Sequence, residues 1–143
     1  MASSDARLVR ECRVPAASSA LRAVRRHAEA AALDFGFGRR ERYAFVFAVN
    51  EAATNAIRHG RPDARGTIGM RFDAEGDTLV CSISDSGCFN LAYDGEIGPM
   101  AESGRGFRLM SELTDQVELS STPCGTTVRL HKRRPVETSS AGG

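Results

Sequence analysis

The stretch Glu51-Ala-Ala-Thr-Asn55-Ala-Ile-Arg-His59-Gly60 places polar residues four positions apart, with mostly apolar residues between them. Residues four apart lie on one face of an α-helix, so Glu51, Asn55 and His59 would form a polar strip. Apolar residues at spacings of three and four continue upstream as a wide stripe. The stretch therefore predicts a helix over residues 39–59 that is buried over much of its circumference and carries one polar strip.

This polar strip suits phosphate chemistry. The side-chain oxygen of Asn55 can bind Mg²⁺, a metal that keeps several waters and takes other ligands from substrate phosphates. Glu51, one turn earlier, can accept the proton of a hydroxyl that attacks a γ-phosphate. His59 can instead cap the helix C-terminus, and an isolated E-x-x-x-N is more often a solvent-facing strip. The interpretation therefore depends on the motifs that follow.

Asp85-Ser-Gly87 directly follows a segment in which apolar residues alternate. A carboxylate at such a strand end can accept a hydrogen bond from the exocyclic amine of adenine. Gly87 would let the backbone approach the ring, because glycine carries no Cβ. A plain turn is the alternative, since aspartate commonly ends strands.

Two glycine motifs complete the set. Gly104-Arg105-Gly106 stands at the start of a predicted helix, where backbone N–H groups and the helix dipole favour phosphate and Arg105 could add a charged contact. Gly125-Thr126-Thr127 begins a predicted strand, and Thr126 could place its hydroxyl near the base, although threonine is also a good strand former. Together the four motifs predict a purine-nucleotide site built from separate elements.

Periodicity along the chain predicts an α+β domain. The expected order is a strand, two helices, a hairpin, a long loop, a third helix and a last hairpin, without β-α-β alternation. The expected bounds are strand 8–14, a helix from Pro15 to Phe35, helix 39–59, strands 67–72 and 78–84 around a turn at 73–77, loop 88–103, helix 105–113, and strands 116–120 and 126–131. A loop as long as 88–103 is usually a functional lid.

Composition restricts the class of protein. The 143 residues suit one domain, and 19 basic against 18 acidic residues give a net charge of +1, without a global field for nucleic acid or an anionic membrane. Basic clusters exist, but solvated surfaces explain them better than nucleic-acid binding. No apolar run in the sequence reaches transmembrane length, and residues 1–6 lack the pattern of a secretory signal, so no such signal is expected there. Its four cysteines lack C-x-x-C spacing, so reduced thiols in a cytoplasm are expected, with Cys88 a candidate reactive thiol.

As an ordered set, these motifs resemble the GHKL ATPase superfamily, and within it the bacterial anti-sigma-factor serine/threonine kinases. The family pattern E-x-x-x-N-A-x-x-H matches Glu51 to His59, D-x-G matches Asp85 and Gly87, G-x-G matches Gly104 and Gly106, and G-T-T-V matches Gly125 to Val128. The resemblance covers nearly the whole folded part, taken as residues 7–134, with disordered ends at 1–6 and 135–143.

The resemblance implies a Bergerat-type fold: a two-layer sandwich with a mixed, mainly antiparallel sheet and helices on one face. It implies ATP and Mg²⁺ as cofactors, Glu51 as general base, Asn55 as Mg²⁺ ligand and Asp85 as adenine reader. It places Gly87, Gly104 and Gly106 around the nucleotide and Thr126 near the base. It also implies a homodimer that sequesters a sigma factor and phosphorylates an anti-anti-sigma partner.

Two other functions stay open at this point. The chain could be a non-catalytic regulator whose partner binding depends on nucleotide occupancy. It could also be a detached ATP-binding module of a histidine kinase, although no phosphoacceptor helical hairpin is recognisable. The presence of Glu51 favours the kinase, because a pure binding protein needs no base.

Overall fold

The computed structural model describes residues 6–60, 64–85, 104–123 and 125–135. The elements are β1 (Arg7–Pro15), a 3-10 turn (Ser18–Ala20), α1 (Leu21–Phe35), α2 (Arg39–His59), β2 (Thr67–Glu75), β3 (Thr78–Asp85), α3 (Gly104–Leu113), β4 (Gln116–Thr122) and β5 (Gly125–Arg133).

The five strands form one sheet in the order β1-β2-β3-β5-β4. All four pairings between described strands are antiparallel. Strands β3 and β5 are neighbours in the sheet although α3 and β4 lie between them in the chain. This non-sequential pairing brings the end of β3 beside the start of β5.

The hydrophobic core lies between one face of the sheet and the helices. Alternation in β2 buries Ile68, Met70 and Phe72, and alternation in β3 buries Leu79, Cys81 and Ile83. The helices supply the other half of the core, which includes Val24, Ala28 and Ala31 from α1 and Phe45, Val49 and Ala52 from α2. The alternate side chains of the strands therefore pack against the buried stripes of the helices, which repeat about every 3.6 residues.

The end of α1 is fixed by two features. Gly36 adopts a left-handed conformation (φ 94°) that glycine takes without a Cβ penalty. The guanidinium of Arg134, just after β5, donates a hydrogen bond of 2.7 Å to the Phe35 carbonyl oxygen and lies 4.1 Å from the centroid of the Phe35 ring. The helix terminus is thereby attached to the last described strand.

The predicted α+β class is confirmed, with an antiparallel sheet and a helical layer. The expected helix start at Pro15 is wrong: Pro15 pairs with Thr67 at the end of β1, and α1 begins at Leu21. Proline is tolerated there because β1 is an edge strand. The turn expected over 73–77 is shorter, since β2 continues to Glu75 and only Gly76 and Asp77 lie between the strands. The predicted lid at 88–103 and the chain ends at 1–5 and 136–143 lie outside the described residues.

Candidate nucleotide-binding site

The polar strip of α2 lies at the border of the helical layer. Glu51, Asn55 and His59 are each partly exposed, whereas Ala52 and Ala56 are buried against the core. Helix α1 packs along one side of α2, with Arg25 donating a hydrogen bond to Asn50, and α3 also packs against α2. The strip therefore lies on a helix that is packed on two sides, and its side chains stay partly exposed.

Two central strands end beside this helix. Asp85 closes β3 and is directly opposite Thr126 of β5; the two residues are 8% and 1% exposed. Alternation places Asp85 on the same face as Cys81 and Ile83, which is the face covered by the helices. Asp85 therefore stands at the end of an apolar row of β3 side chains, on the face of the sheet that α2 covers.

On the opposite face of the same strand pair, two hydroxyl groups form a hydrogen bond with each other. Ser84 and Thr127 point away from the helical layer, and their oxygens lie 3.0 Å apart. This hydrogen bond joins β3 to β5 one residue away from Asp85 and Thr126. It strengthens the pairing that holds the two buried polar side chains in register.

The carboxylate of Asp85 packs against Gly60, the residue that follows α2. A Cβ placed on Gly60 would lie 2.3 Å from Asp85 Oδ2 and 2.6 Å from the Ala56 carbonyl oxygen. The backbone of Gly60 is extended (φ −89°), a conformation that alanine also adopts. Glycine is needed at this position because a side chain would clash with the Asp85 carboxylate and the Ala56 carbonyl oxygen. The contact connects the end of the polar strip directly to the end of β3.

Helix α3 begins at Gly104 and is anchored at its other end. Lys132 Nζ donates a hydrogen bond of 3.0 Å to the Leu113 carbonyl oxygen, and the Thr114 hydroxyl donates one of 2.6 Å to Met110. A cation at a helix C-terminus is favoured by the dipole. The anchored C-terminus fixes α3 on the sheet, with its glycine-rich first turn at the opposite end.

A depression of about 700 Å³ lies on the outer sheet face. Glu11, Arg71, Ser82 and Ser84 are among its lining residues. Its charged groups contact one another, with Arg71 lying 3.0 Å from Asp73 and 3.9 Å from Glu11. Thr127 lines this depression, whereas the described site residues Glu51, Asn55, Asp85 and Thr126 do not, so we place the candidate site on the helical side.

Clusters of metal ligands and reactive thiols would be two other kinds of chemical site among the described residues. Among the residues described, no group of three or more His, Cys, Asp or Glu could hold a metal ion. Burial raises the pKa of the Cys12 thiol and raises that of Cys81 well above its ordinary value, so both stay protonated at neutral pH. Cys88 lies outside the described residues.

Among the described residues, no helix combines the length and apolarity needed to span a bilayer.

The observation that decides the family is a match over nearly all of this fold. A family of domains described as histidine kinase-like ATPases matches residues 14–132, which includes α2, β3 and all of β5 except its last residue. The chain belongs to this histidine kinase-like ATPase family. The resemblance inferred from the motifs is thereby confirmed.

Relatives within the family carry regulatory names. The chain is 30% identical over 136 residues to the serine-protein kinase RsbW of Bacillus pumilus, covering 85% of this chain and 83% of that protein. It is 32% identical over 93 residues to the anti-sigma F factor of Bacillus subtilis, covering 59% of this chain and 64% of that protein.

A solved structure matches the fold. The RsbU and RsbW domains of Rv1364c from Mycobacterium tuberculosis align with 89% of this chain at a TM-score of 0.63 and 24% identity. The alignment covers 34% of that longer chain. At this identity the likeness supports the fold of this histidine kinase-like ATPase domain and nothing further.

The structure brings some of the predicted site residues together. Asp85 and Thr126 are strand partners, and α2, which carries Glu51 and Asn55, ends against Asp85 through Gly60. The backbone of Gly104, Arg105 and Gly106 forms the first turn of α3, which packs against α2. Gly87 lies outside the described residues. The chemical roles of all these residues stay predictions.

One site residue was missed by the sequence analysis. Gly60 was given no role of its own there, but its lack of a side chain makes room for Asp85. The available signal was its position directly after His59, at the end of the polar strip.

Proposed function

We propose that this chain is an ATP- and Mg²⁺-dependent serine/threonine protein kinase that acts as an anti-sigma factor. It would sequester a sigma factor in the cytoplasm, act as a homodimer and phosphorylate an anti-anti-sigma protein. The observation that carries the nucleotide site is the packing of Asp85 against Gly60 at the end of the Glu51–Asn55 helix. The relatives named as a serine-protein kinase and an anti-sigma factor support the choice of partners.

The proposed site places the nucleotide along the C-terminal half of α2. The Asp85 carboxylate accepts a hydrogen bond from the adenine amine, and the buried Thr126 hydroxyl lies on the strand beside it. The triphosphate extends back along α2 toward Asn55 and Glu51, with the N–H groups at the start of α3 as further donors.

The donor set fits a magnesium ion that is bound partly by phosphate. Asn55 offers one neutral oxygen, and the remaining ligands would come from water and from the phosphates. When bound, the ion would neutralise charge that develops on the transferred phosphoryl group. The protein itself then needs to supply orientation and a base.

Glu51 supplies the base in this proposal. The serine or threonine oxygen of the partner attacks the γ-phosphorus, and its proton passes to the Glu51 carboxylate. The bond between the γ-phosphorus and the β–γ bridging oxygen breaks, and ADP leaves with that electron pair. Glu51 is one turn from Asn55 on the same side of α2, so base and metal ligand face the same phosphate.

Transfer of labelled γ-phosphate from ATP to the anti-anti-sigma protein of the source organism tests the proposal. Glu51→Gln should lower the transfer rate by about 10²- to 10⁴-fold, the usual contribution of a general base, with unchanged ATP affinity. Glu112→Gln, the same substitution at an exposed position of α3, is the matched control. Transfer that is equal in the wild type and in Glu51→Gln would contradict the assignment.

A further inference from the structure

Helix α2 exposes two aromatic side chains on the half that the proposed nucleotide site does not use. Tyr43 is 67% exposed and Phe47 is 50% exposed, although aromatic residues usually contribute to cores. They lie four residues apart, so they are neighbours on one side of the helix. We define Tyr43 and Phe47, with Arg39 and Arg40 on the preceding turn, as the aromatic patch.

The aromatic patch lies next to Glu51, the proposed base, because Tyr43, Phe47 and Glu51 follow one another at spacings of four residues on α2. Phe47 is one turn before Glu51, and Tyr43 is two turns before it. With a rise of 1.5 Å per residue, these positions lie about 6 Å and 12 Å from Glu51 along the helix axis. The patch and the base therefore belong to one continuous surface of α2.

The nucleotide and the protein substrate must reach Glu51 from different directions. Asn55, Gly60 and Asp85 all lie toward the C-terminal end of α2, which is where the proposed nucleotide site is built. A protein whose hydroxyl reaches Glu51 must therefore approach over the N-terminal half of the helix. That half exposes Tyr43 and Phe47.

A protein interface centred on Glu51 would be large enough to cover the aromatic patch. A stable interface covers about 800 Å² on each partner, which corresponds to a disc of about 16 Å radius. A disc of that size centred on Glu51 includes both aromatic side chains. Tyrosine and arginine are also enriched among the residues that dominate binding energy.

The charge around the patch indicates the chemistry of the occupant. Arg39 and Arg40 are exposed and lie three or four residues before Tyr43, whereas Glu41 is directed to another side of the helix and is partly buried. Neighbouring α1 exposes Arg22, Arg25 and Arg26, and its exposed Glu29 lies 3.7 Å from Arg42 of α2, which offsets that acidic charge. A partner surface that is apolar at its centre and acidic around it would complement this arrangement.

We propose that the aromatic patch is the docking surface for the folded protein that donates the phosphorylated hydroxyl, and that this partner presents apolar and acidic side chains around its serine or threonine. This inference rests on the proposed function, because it takes Glu51 as the base. The patch acts through affinity for the folded partner and takes no part in the transfer step.

Phe47→Ser and Tyr43→Ser test this surface, with Leu8→Ser as matched control. Leu8 is 47% exposed on the edge strand β1, so its replacement removes a similar exposed apolar side chain elsewhere. Two substrates are needed: the folded anti-anti-sigma protein of the source organism and a short synthetic peptide that spans its phosphoacceptor serine. Calorimetry on the ATP-loaded chain measures affinity for the folded protein, and labelled ATP measures transfer.

The expected result is a loss that is specific to the folded partner. Phe47→Ser should weaken affinity for the anti-anti-sigma protein, and raise its KM, by about 10- to 100-fold without changing kcat. Transfer to the peptide and affinity for ATP should match the wild type, as should every property of Leu8→Ser. Arg40→Glu should weaken the same affinity, because it reverses a charge beside the patch.

Three results would overturn the inference: unchanged affinity in both aromatic variants, an equal loss of transfer to the peptide, or a loss that affects only the sigma factor. Failure of the proposed function would look different. If the wild type transfers no phosphate while Phe47→Ser still loses the folded partner, the docking surface stands and the kinase assignment fails.

Discussion

Replacing Gly60 by alanine tests the closest contact of the candidate site. The new methyl carbon would start 2.3 Å from Asp85 Oδ2 and 2.6 Å from the Ala56 carbonyl oxygen. Non-bonded heavy atoms at optimal separation lie about 3.5 Å apart, so the carboxylate must retreat by about 1 Å. The Ala56 carbonyl oxygen cannot retreat as easily, because it accepts the Gly60 N–H bond of 2.9 Å.

The expected magnitude has two parts. Overpacking of this kind usually lowers the free energy of unfolding by about 1–3 kcal/mol. A displaced carboxylate would also lose the hydrogen bond that we propose it makes to the adenine amine, and hydrogen bonds to charged groups contribute about 1.5–3 kcal/mol. The second part corresponds to an ATP affinity that is weaker by about 10- to 150-fold.

Urea denaturation and calorimetry with ATP and Mg²⁺ measure the two parts separately. Gly69→Ala is the matched control, because a Cβ there would meet only the end of the Arg13 side chain, at 3.1 Å, which can move aside. Unchanged stability and ATP affinity in Gly60→Ala would refute the close packing. Lost stability with unchanged ATP affinity would refute the role of Asp85 in adenine recognition.

Other predictions concern the framework around the site. Burial, with a smaller effect of nearby Arg10, lowers the pKa of His27, so the unfolded chain takes up this proton first as the pH falls below about 6.5. The free energy of unfolding should therefore decrease below that pH, and this slope should be weaker in His27→Gln when both are titrated by urea denaturation. Arg134→Ala should lower the free energy of unfolding by about 1–2 kcal/mol through loss of its contacts with the carbonyl and ring of Phe35, and an unchanged urea midpoint would contradict this. The fully buried Cys81 should resist alkylation in the native protein and react only after unfolding, as followed by peptide mass spectrometry; rapid native labelling would show that this part of the core opens.

The elements of this domain were largely predictable because their periodicity is strong. The apolar stripes of α1 and α2 and the alternation in β2 and β3 each match the burial in the structure. The start of α1 was not predictable from Pro15, because proline suits both a first helical turn and an edge strand. The choice between them depends on pairing with Thr67, which lies 52 residues away in the chain.

The candidate site was predictable as a set of motifs but not as a geometry. Nothing local to Asp85 or Thr126 indicates that they are strand partners, because that pairing joins strands that are not consecutive. The contact of Gly60 with Asp85 depends on how α2 packs over the sheet, which is a tertiary property. The exposure of Tyr43 and Phe47 is equally tertiary, since α1 and α3 determine which sides of α2 are covered.

The central claim is that Asp85 and its neighbours read an adenine ring at the end of α2. Its most direct test is the ratio of ATP to GTP affinity, measured by calorimetry with Mg²⁺ for the wild type and for Asp85→Asn. Guanine carries a carbonyl oxygen where adenine carries the exocyclic amine, so a carboxylate acceptor should favour ATP strongly in the wild type. The account predicts that Asp85→Asn loses most of this preference; a wild type that binds ATP and GTP equally, or a variant that keeps the full preference, would contradict it.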